Sequence, residues 1–209
     1  MNFELYFCVV PSINIHTHRA ADGETTLSAA GIHPWQADEY DIADADTLRN
    51  ALGSGLDTAQ AIGETGLDFA CNADRDAQVR LFRAHLQLAE QMRLPVVIHC
   101  VRAFEPVMKI IGEYAVPNVL FHGFVGSADQ VRRAVEKGYF ISFGLRSLRS
   151  PKSVAAMRTV PPELMFVETD DDDISIEDIY KMAAEAIGSE VETLQCRCNE
   201  NYKKLTSNG

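Results

Sequence analysis

The sequence predicts an α/β fold of repeated βα units around a parallel sheet, either closed as a barrel or left open. Three observations predict it. The chain has 209 residues, 46% hydrophobic and 23% charged, which is enough for one sizeable core and short for two. Short β-branched or apolar runs alternate with helical patterns, as they must when a crossover helix separates parallel strands. Nearly every strand candidate ends in a polar or ionisable residue, and five of the six histidines sit at such ends. In a parallel barrel or open α/β sheet those ends share one face, where sites are built.

The elements follow in order. A strand at 12–16 closes as Ile-His-Thr-His, giving His16 and His18. The apolar run before it, 5–10, is too short for a membrane span, and Glu4 is wrong for a secretory signal. A strand at 25–32 leads into Gly-Ile-His33-Pro, and one at 58–63 leads into Glu64. A helix at 76–92 follows, where Val79, Phe82, Leu86 and Ala89 repeat at helical spacing and Leu81, Leu88 and Met92 widen the stripe. The strand at 95–99 ends on His99 and is followed by a helix at 104–114. The strand at 118–122 ends on His122, and a helix at 128–137 is closed by Gly138. Strands at 139–143 and 164–168 and a helix at 176–187 complete the series. Only the connection between His18 and Thr25 is too short for a crossover helix.

Charge and cysteines set the setting. There are 19 Lys and Arg against 30 Asp and Glu, a formal net charge of -11. Such a chain repels nucleic acid and anionic lipid at long range, so a polyanion would need a local positive feature such as a metal ion. Cys8, Cys71, Cys100, Cys196 and Cys198 form an odd, scattered set with no disulfide framework, as expected of a reduced, cytoplasmic protein. Cys196 and Cys198 lack zinc-knuckle spacing. Cys100 should point away from His99 on the pleat as an apolar filler. His85 lies among helical leucines and is read as packing or solvent-facing, not as a ligand.

His16 and His18, two apart on a strand, point the same way. With His99, His122, Glu64 and Asp170 at other strand ends they make four imidazoles and two carboxylates. That set suits Zn, Mn, Mg or a similar divalent ion, and exceeds what one tetrahedral ion needs. Two ions sharing a carboxylate would use them all and would activate water for hydrolysis. No lysine lies at a strand end to bridge them, which leaves Glu64, while Asp170 is placed to take the proton of the attacking water. Asp171 to Asp173 read as the solvated start of the next helix.

The motifs His16-Thr-His18, Gly31-Ile-His33-Pro34, Ile62-Gly-Glu64-Thr-Gly66-Leu-Asp68, Ile98-His99, His122-Gly-Phe124-x-Gly126-Ser127 and Glu168-Thr-Asp170 resemble the TatD-type metal-dependent deoxyribonucleases, within the amidohydrolase-like barrels. The likeness runs from about residue 12 to 170. It implies a TIM-type barrel that hydrolyses phosphodiester bonds, usually at DNA ends. It also implies that His16, His18, Glu64 and Asp170 hold one metal, that Glu64, His99 and His122 hold another, and that His33 lies by the substrate phosphate. Three places depart from the family pattern. Only residues 19–32 separate the His-x-His and Gly-x-His-Pro motifs, where the family has about a whole βα unit. Cys100 and Val101 replace a polar residue and an arginine, with an arginine displaced to Arg102. Asp171-Asp172-Asp173 stands where a basic loop is usual.

The resulting expectation is a single TIM-type (β/α) barrel domain over 1–209, shortened, with about seven recognisable strands. Its expected function is a cytoplasmic, two-metal phosphodiesterase or deoxyribonuclease acting on DNA ends or a small phosphodiester. Asp170 and Glu64 are its catalytic residues, and His33 and Arg102 contact substrate. No membrane association and no protein partner are expected. The alternatives are a hydrolase of a small ester, amide or phosphate, and a non-catalytic metal-binding relative.

Overall fold

The computed structural model describes the backbone of residues 3–10, 13–20, 26–170 and 172–207, and side chains from 27 onward within those ranges. Strands β1 (Phe3–Val10) and β2 (Ile13–Ala20) come first. The run at 5–10 lies in the former, and the His-x-His pair lies in the latter. From there the chain clusters into two compact units, one built mainly on Leu27–Val119 and the other mainly on Leu120–Ser207.

The first unit carries β3 (Thr26–Gly31), β4 (Ala61–Asp68) and β5 (Val96–Val101), paired in parallel in that order. Helices α1 (Ala45–Leu52), α2 (Arg75–Met92) and α3 (Phe104–Ile111) follow the successive strands. Helix α2 begins where the Asp74 side chain accepts a hydrogen bond from the Ala77 amide at 2.8 Å. It buries the expected stripe of Leu81, Phe82, Leu86, Leu88 and Ala89, with Val79 and Met92 half-buried. Gln78 and His85 are buried as well, polar residues on an apolar face.

Strand β4 was expected to stop at Gly63 but continues to Asp68, with all eight residues buried. Glycines at 63 and 66 weaken a strand on propensity alone. Here they are required by contact. A β-carbon on Gly63 would stand 2.7 Å from the Val97 carbonyl oxygen, and one on Gly66 would collide with the carbonyl of His99. Between Ile62↔Val96 and Thr65↔Ile98 the β4–β5 register slips, since two residues on β4, Gly63 and Glu64, oppose the single Val97 on β5. A bulge of this kind re-aims side chains, and Glu64 lies in it.

The second unit carries β6 (Val119–Phe121), β7 (Phe140–Phe143) and β8 (Met165–Val167), again parallel and in order. Helix α4 (Ala128–Val135) opens with a reciprocal capping box between Ser127 and Gln130. The helix ends two residues earlier than expected, at Val135 with Glu136 as its C-cap, and Gly138 takes φ +76° in the turn that follows. Helices α5 (Leu145–Leu148) and α6 (Pro151–Met157) separate β7 from β8. Helix α7 (Ile176–Ile187) matches its expected bounds, capped by Ser175 and closed by Gly188 in the left-handed conformation. The acidic residues before it therefore precede the helix, and its first turn holds Glu177 and Asp178 instead. Helix α8 (Val191–Thr206) was not expected; it buries Leu194, Cys198, Tyr202 and Leu205. No helix among the described residues is long and apolar enough to cross a membrane.

Candidate metal centre

Two groups of three potential ligands form on or just past strands, one in each unit: His33, Glu64 and His99, and His122, Glu168 and Asp170. Within each, the donor atoms lie within 4.8 Å of one another.

The first group starts from the turn after β3. The Ile32 amide donates to Nε2 of His85 at 2.9 Å, and Nδ1 of His85 lies 2.8 Å from the Leu81 carbonyl. Because Nε2 accepts, Nδ1 carries the proton and donates to Leu81. Burial pulls the pKa of His85 down to about 4, against a small opposing effect of the Leu81 carbonyl, so the ring is neutral at pH 7. This neutral imidazole fastens the residue next to His33 onto α2. It is packed, as expected, but it is a fastener rather than filler.

Nδ1 of His33 accepts from the Trp35 amide at 3.3 Å and caps the short 3-10 turn Pro34–Gln36. A neutral imidazole that accepts at Nδ1 holds its proton on Nε2, and that atom faces Glu64 Oε2 at 3.5 Å. Glu64, buried, has Oε1 3.8 Å from Nδ1 of His99. The other ring nitrogen of His99, Nε2, lies 3.2 Å from Asp68 Oδ2. Asp68 also accepts from the Trp35 indole at 2.7 Å, the Ala70 amide at 2.8 Å and the Cys71 amide at 3.2 Å. Burial alone would raise its pKa. Hydrogen bonds from His99, Trp35 and Ala70 outweigh that and hold the carboxyl well below the usual carboxylate range. An ionised Asp68 keeps the His99 proton on Nε2 and turns Nδ1 toward Glu64. A carboxylate behind an imidazole in this way is the common support of a metal-ligating histidine. Asp68 is itself fixed by Gln78 of α2, whose amide group bonds both the Asp68 amide and its carbonyl, at 2.8 and 3.0 Å.

The second group is built on the ends of β6 and β8. Nδ1 of His122 stands 3.3 Å from Glu168 Oε1. Gly123, at φ +53°, leaves the room: a β-carbon there would lie 3.3 Å from Glu168 Oε1 and 3.9 Å from Asp170 Oδ2. Glu168 is 0% exposed, and neither of its carboxylate oxygens accepts a hydrogen bond among the described residues. A buried carboxylate without donors is expensive. A divalent cation held with His122 and Asp170 offsets that cost, so the donor set fits such an ion.

The expected residues are thus distributed as follows. Glu64 and His99 meet, joined by His33, and His122 and Asp170 meet, joined by Glu168. His16 and His18 belong to β2, whose side chains lie outside the described residues. Arg102 is exposed at φ +53° just past β5. Cys100 is half-buried, and burial pushes its thiol up to about 12, which leaves it inert at neutral pH. Cys196 is exposed and Cys198 buried on α8, so they do not face one ion together. Sequence reasoning named neither Asp68, Trp35 nor Glu168 as site residues. Asp68 and Glu168 were within its motifs, and each follows the strand-end rule that found the histidines.

Residues 8–207 match the family described as TatD related DNase. The chain is 31% identical over 167 residues to the uncharacterized metal-dependent hydrolase YabD of Bacillus subtilis, covering 77% of this chain and 64% of that one. It is 30% identical over 149 residues to the 3'-5' ssDNA/RNA exonuclease TatD of Salmonella typhimurium, covering 68% and 56%. The chain therefore spans just over half to under two-thirds of the length of these relatives. Among solved structures it resembles the TatD homologue YJJV of Escherichia coli, with a TM-score of 0.75 at 23% identity over 84% of this chain and 74% of that one. A TatD family hydrolase from Entamoeba histolytica gives a TM-score of 0.72 at 19% identity, over 84% and 72%. At these identities the likeness shows the fold, which is TIM-barrel-like in the TatD structures and is the class expected.

Proposed function

The chain belongs to the TatD related DNase family, and from that membership we propose that it is a divalent-metal-dependent hydrolase of phosphodiester bonds acting on DNA ends. The observation that carries the reading is the fully buried carboxylate of Glu168 beside His122 and Asp170, which accepts no hydrogen bond among the described residues. In this reading Glu168 joins His16, His18, Glu64, His99, His122 and Asp170 in holding two ions such as Zn, Mn or Mg. Bound there, the ions polarise the phosphoryl group and lower the pKa of water.

The chain's own residues do the rest. Asp68 orients His99 and keeps its Nδ1 available. His33, with its proton on Nε2, acts as a donor and so suits a phosphate oxygen better than a metal. A carboxylate oxygen of Asp170 takes the proton of the attacking water. Arg102, exposed beyond β5, offers its guanidinium to a second phosphate.

One observation favours a second reading, a small phosphodiester in place of DNA. Seven acidic residues and no Lys or Arg lie between residues 20 and 48, and eight acidic with no basic between 159 and 180. The test is EDTA-sensitive release of nucleotides from DNA ends, with Zn, Mn and Mg restored singly. Metal-loaded protein inert toward DNA but active on bis-nitrophenyl phosphate would replace the first reading with the second. Glu64→Ala should lose activity and at least one metal; an unchanged rate refutes its ligand role.

A further inference from the structure

Trp35 is the chain's one tryptophan, and the residue is 60% exposed. Large aromatic rings normally bury most of their surface. This one is exposed but held in place. Its indole N–H donates to Asp68 Oδ2 at 2.7 Å, and its backbone amide donates to Nδ1 of His33. Its ring meets His33 edge-on at 4.6 Å and His99 at 6.0 Å between centroids. The indole is thus fixed against two of the three residues of the first ligand group, with much of its surface left to solvent.

We propose that Trp35 is a stacking platform for a nucleobase of the substrate, an inference that rests on the phosphodiesterase reading above. A rigid, exposed aromatic beside a phosphodiester site is the arrangement that single-stranded nucleic acid uses on proteins, because every base has a π-face. Charge argues for the same occupant. Trp35 lies inside the stretch 20–48, which holds seven acidic residues and no basic one, so phosphate attraction gives an oligonucleotide no purchase on that segment. Stacking is indifferent to charge and supplies the contact that the segment otherwise lacks. The hydrogen bond to Asp68 then has two effects, since it also helps hold the carboxylate behind His99.

The sole tryptophan makes the test direct. Metal-loaded protein is titrated with a phosphorothioate-linked thymidine tetranucleotide and with an abasic tetramer of the same linkages, and indole fluorescence is followed. The base-bearing probe should quench saturably and the abasic one should not. Equal quenching by both, or none by either, overturns the inference. Binding of the labelled tetranucleotide by Trp35→Ala should weaken about 5–150-fold, the range expected for one lost base stack. Trp35→Phe keeps a ring but loses the N–H, and should bind within about threefold of wild type. If both variants are equally weak, Trp35 acts only as a donor to Asp68 and the platform is refuted. Base-dependent quenching without DNA hydrolysis would leave the platform standing and sink the nuclease reading. Hydrolysis without base-dependent quenching would do the reverse.

Discussion

Gly66 is where the geometry of the first ligand group is most exposed to a single methyl. Its φ is +141°, and a β-carbon there would run into the backbone carbonyl of His99, with which it is in register. Gly66→Ala must therefore displace His99 or strain β4, at a cost of about 1–3 kcal/mol. Urea melts should show that loss together with reduced metal content; normal stability and full metal content would show the approach to be looser than drawn. His85 yields a prediction in pH. Folded, it takes a proton only near pH 4, whereas unfolded it does so near 6.5. Its contribution is intact above pH 6.5 and is lost as pH falls from there to about 4, reaching about 3 kcal/mol at most. Stability of wild type measured against His85→Gln should narrow across that window, and a constant difference would contradict the neutral buried ring. The sequence marked His85 as a non-ligand by its helical neighbours. It held no sign that the ring would reach 53 positions back to the Ile32 amide, because side-chain reach across elements is a tertiary fact.

At the scale of elements, legibility depended on how much of the signal was periodic. Helices α2 and α7 carried wide apolar stripes and were read nearly to the residue. Helix α1 was hidden in an acid-rich run, although Asp44 caps it by accepting from the Thr47 amide at 2.9 Å. Strand β4 was cut short because its glycines look like punctuation until β5 is placed beside it. Helix α2 matters most to the site, since it carries both Gln78, which fixes Asp68, and His85, which fixes the turn before His33. Its stability should be dominated by packing rather than by its cap. Phe82, fully buried, should cost about 3–5 kcal/mol as Phe82→Ala. Loss of the Asp74 cap in Asp74→Ala should cost about 1 kcal/mol. Denaturation midpoints rank the two, and a cap loss equal to the core loss would mean that α2 is held at its end and not along its face.

For the whole molecule the pairs Glu64 with His99 and His122 with Asp170 were legible because parallel βα topology, within each unit, brings residues at equivalent strand positions together. Their supports were not, since Asp68, Gln78 and Trp35 act through contacts that spacing does not encode. The net charge of -11 bears on how such a molecule would hold the proposed DNA substrate. A protein that neutralises 6–10 phosphates with Lys and Arg loses about 10³–10⁵ in affinity between 50 and 200 mM salt. Here the segment around His33 and Trp35 has no basic residue and the run after Asp170 is acidic, so the proposed DNA binding would release few counterions. With divalent ion fixed, affinity for a short oligonucleotide should fall only about tenfold or less over that salt range, as one or two neutralised phosphates would give. Anisotropy titrations at stepped NaCl measure the slope. A steep loss would mean that a basic surface carries the DNA after all, and Arg102→Ala would then be the first variant to flatten it. A shallow slope leaves ion ligation and base stacking as the forces that bind substrate to an acidic chain.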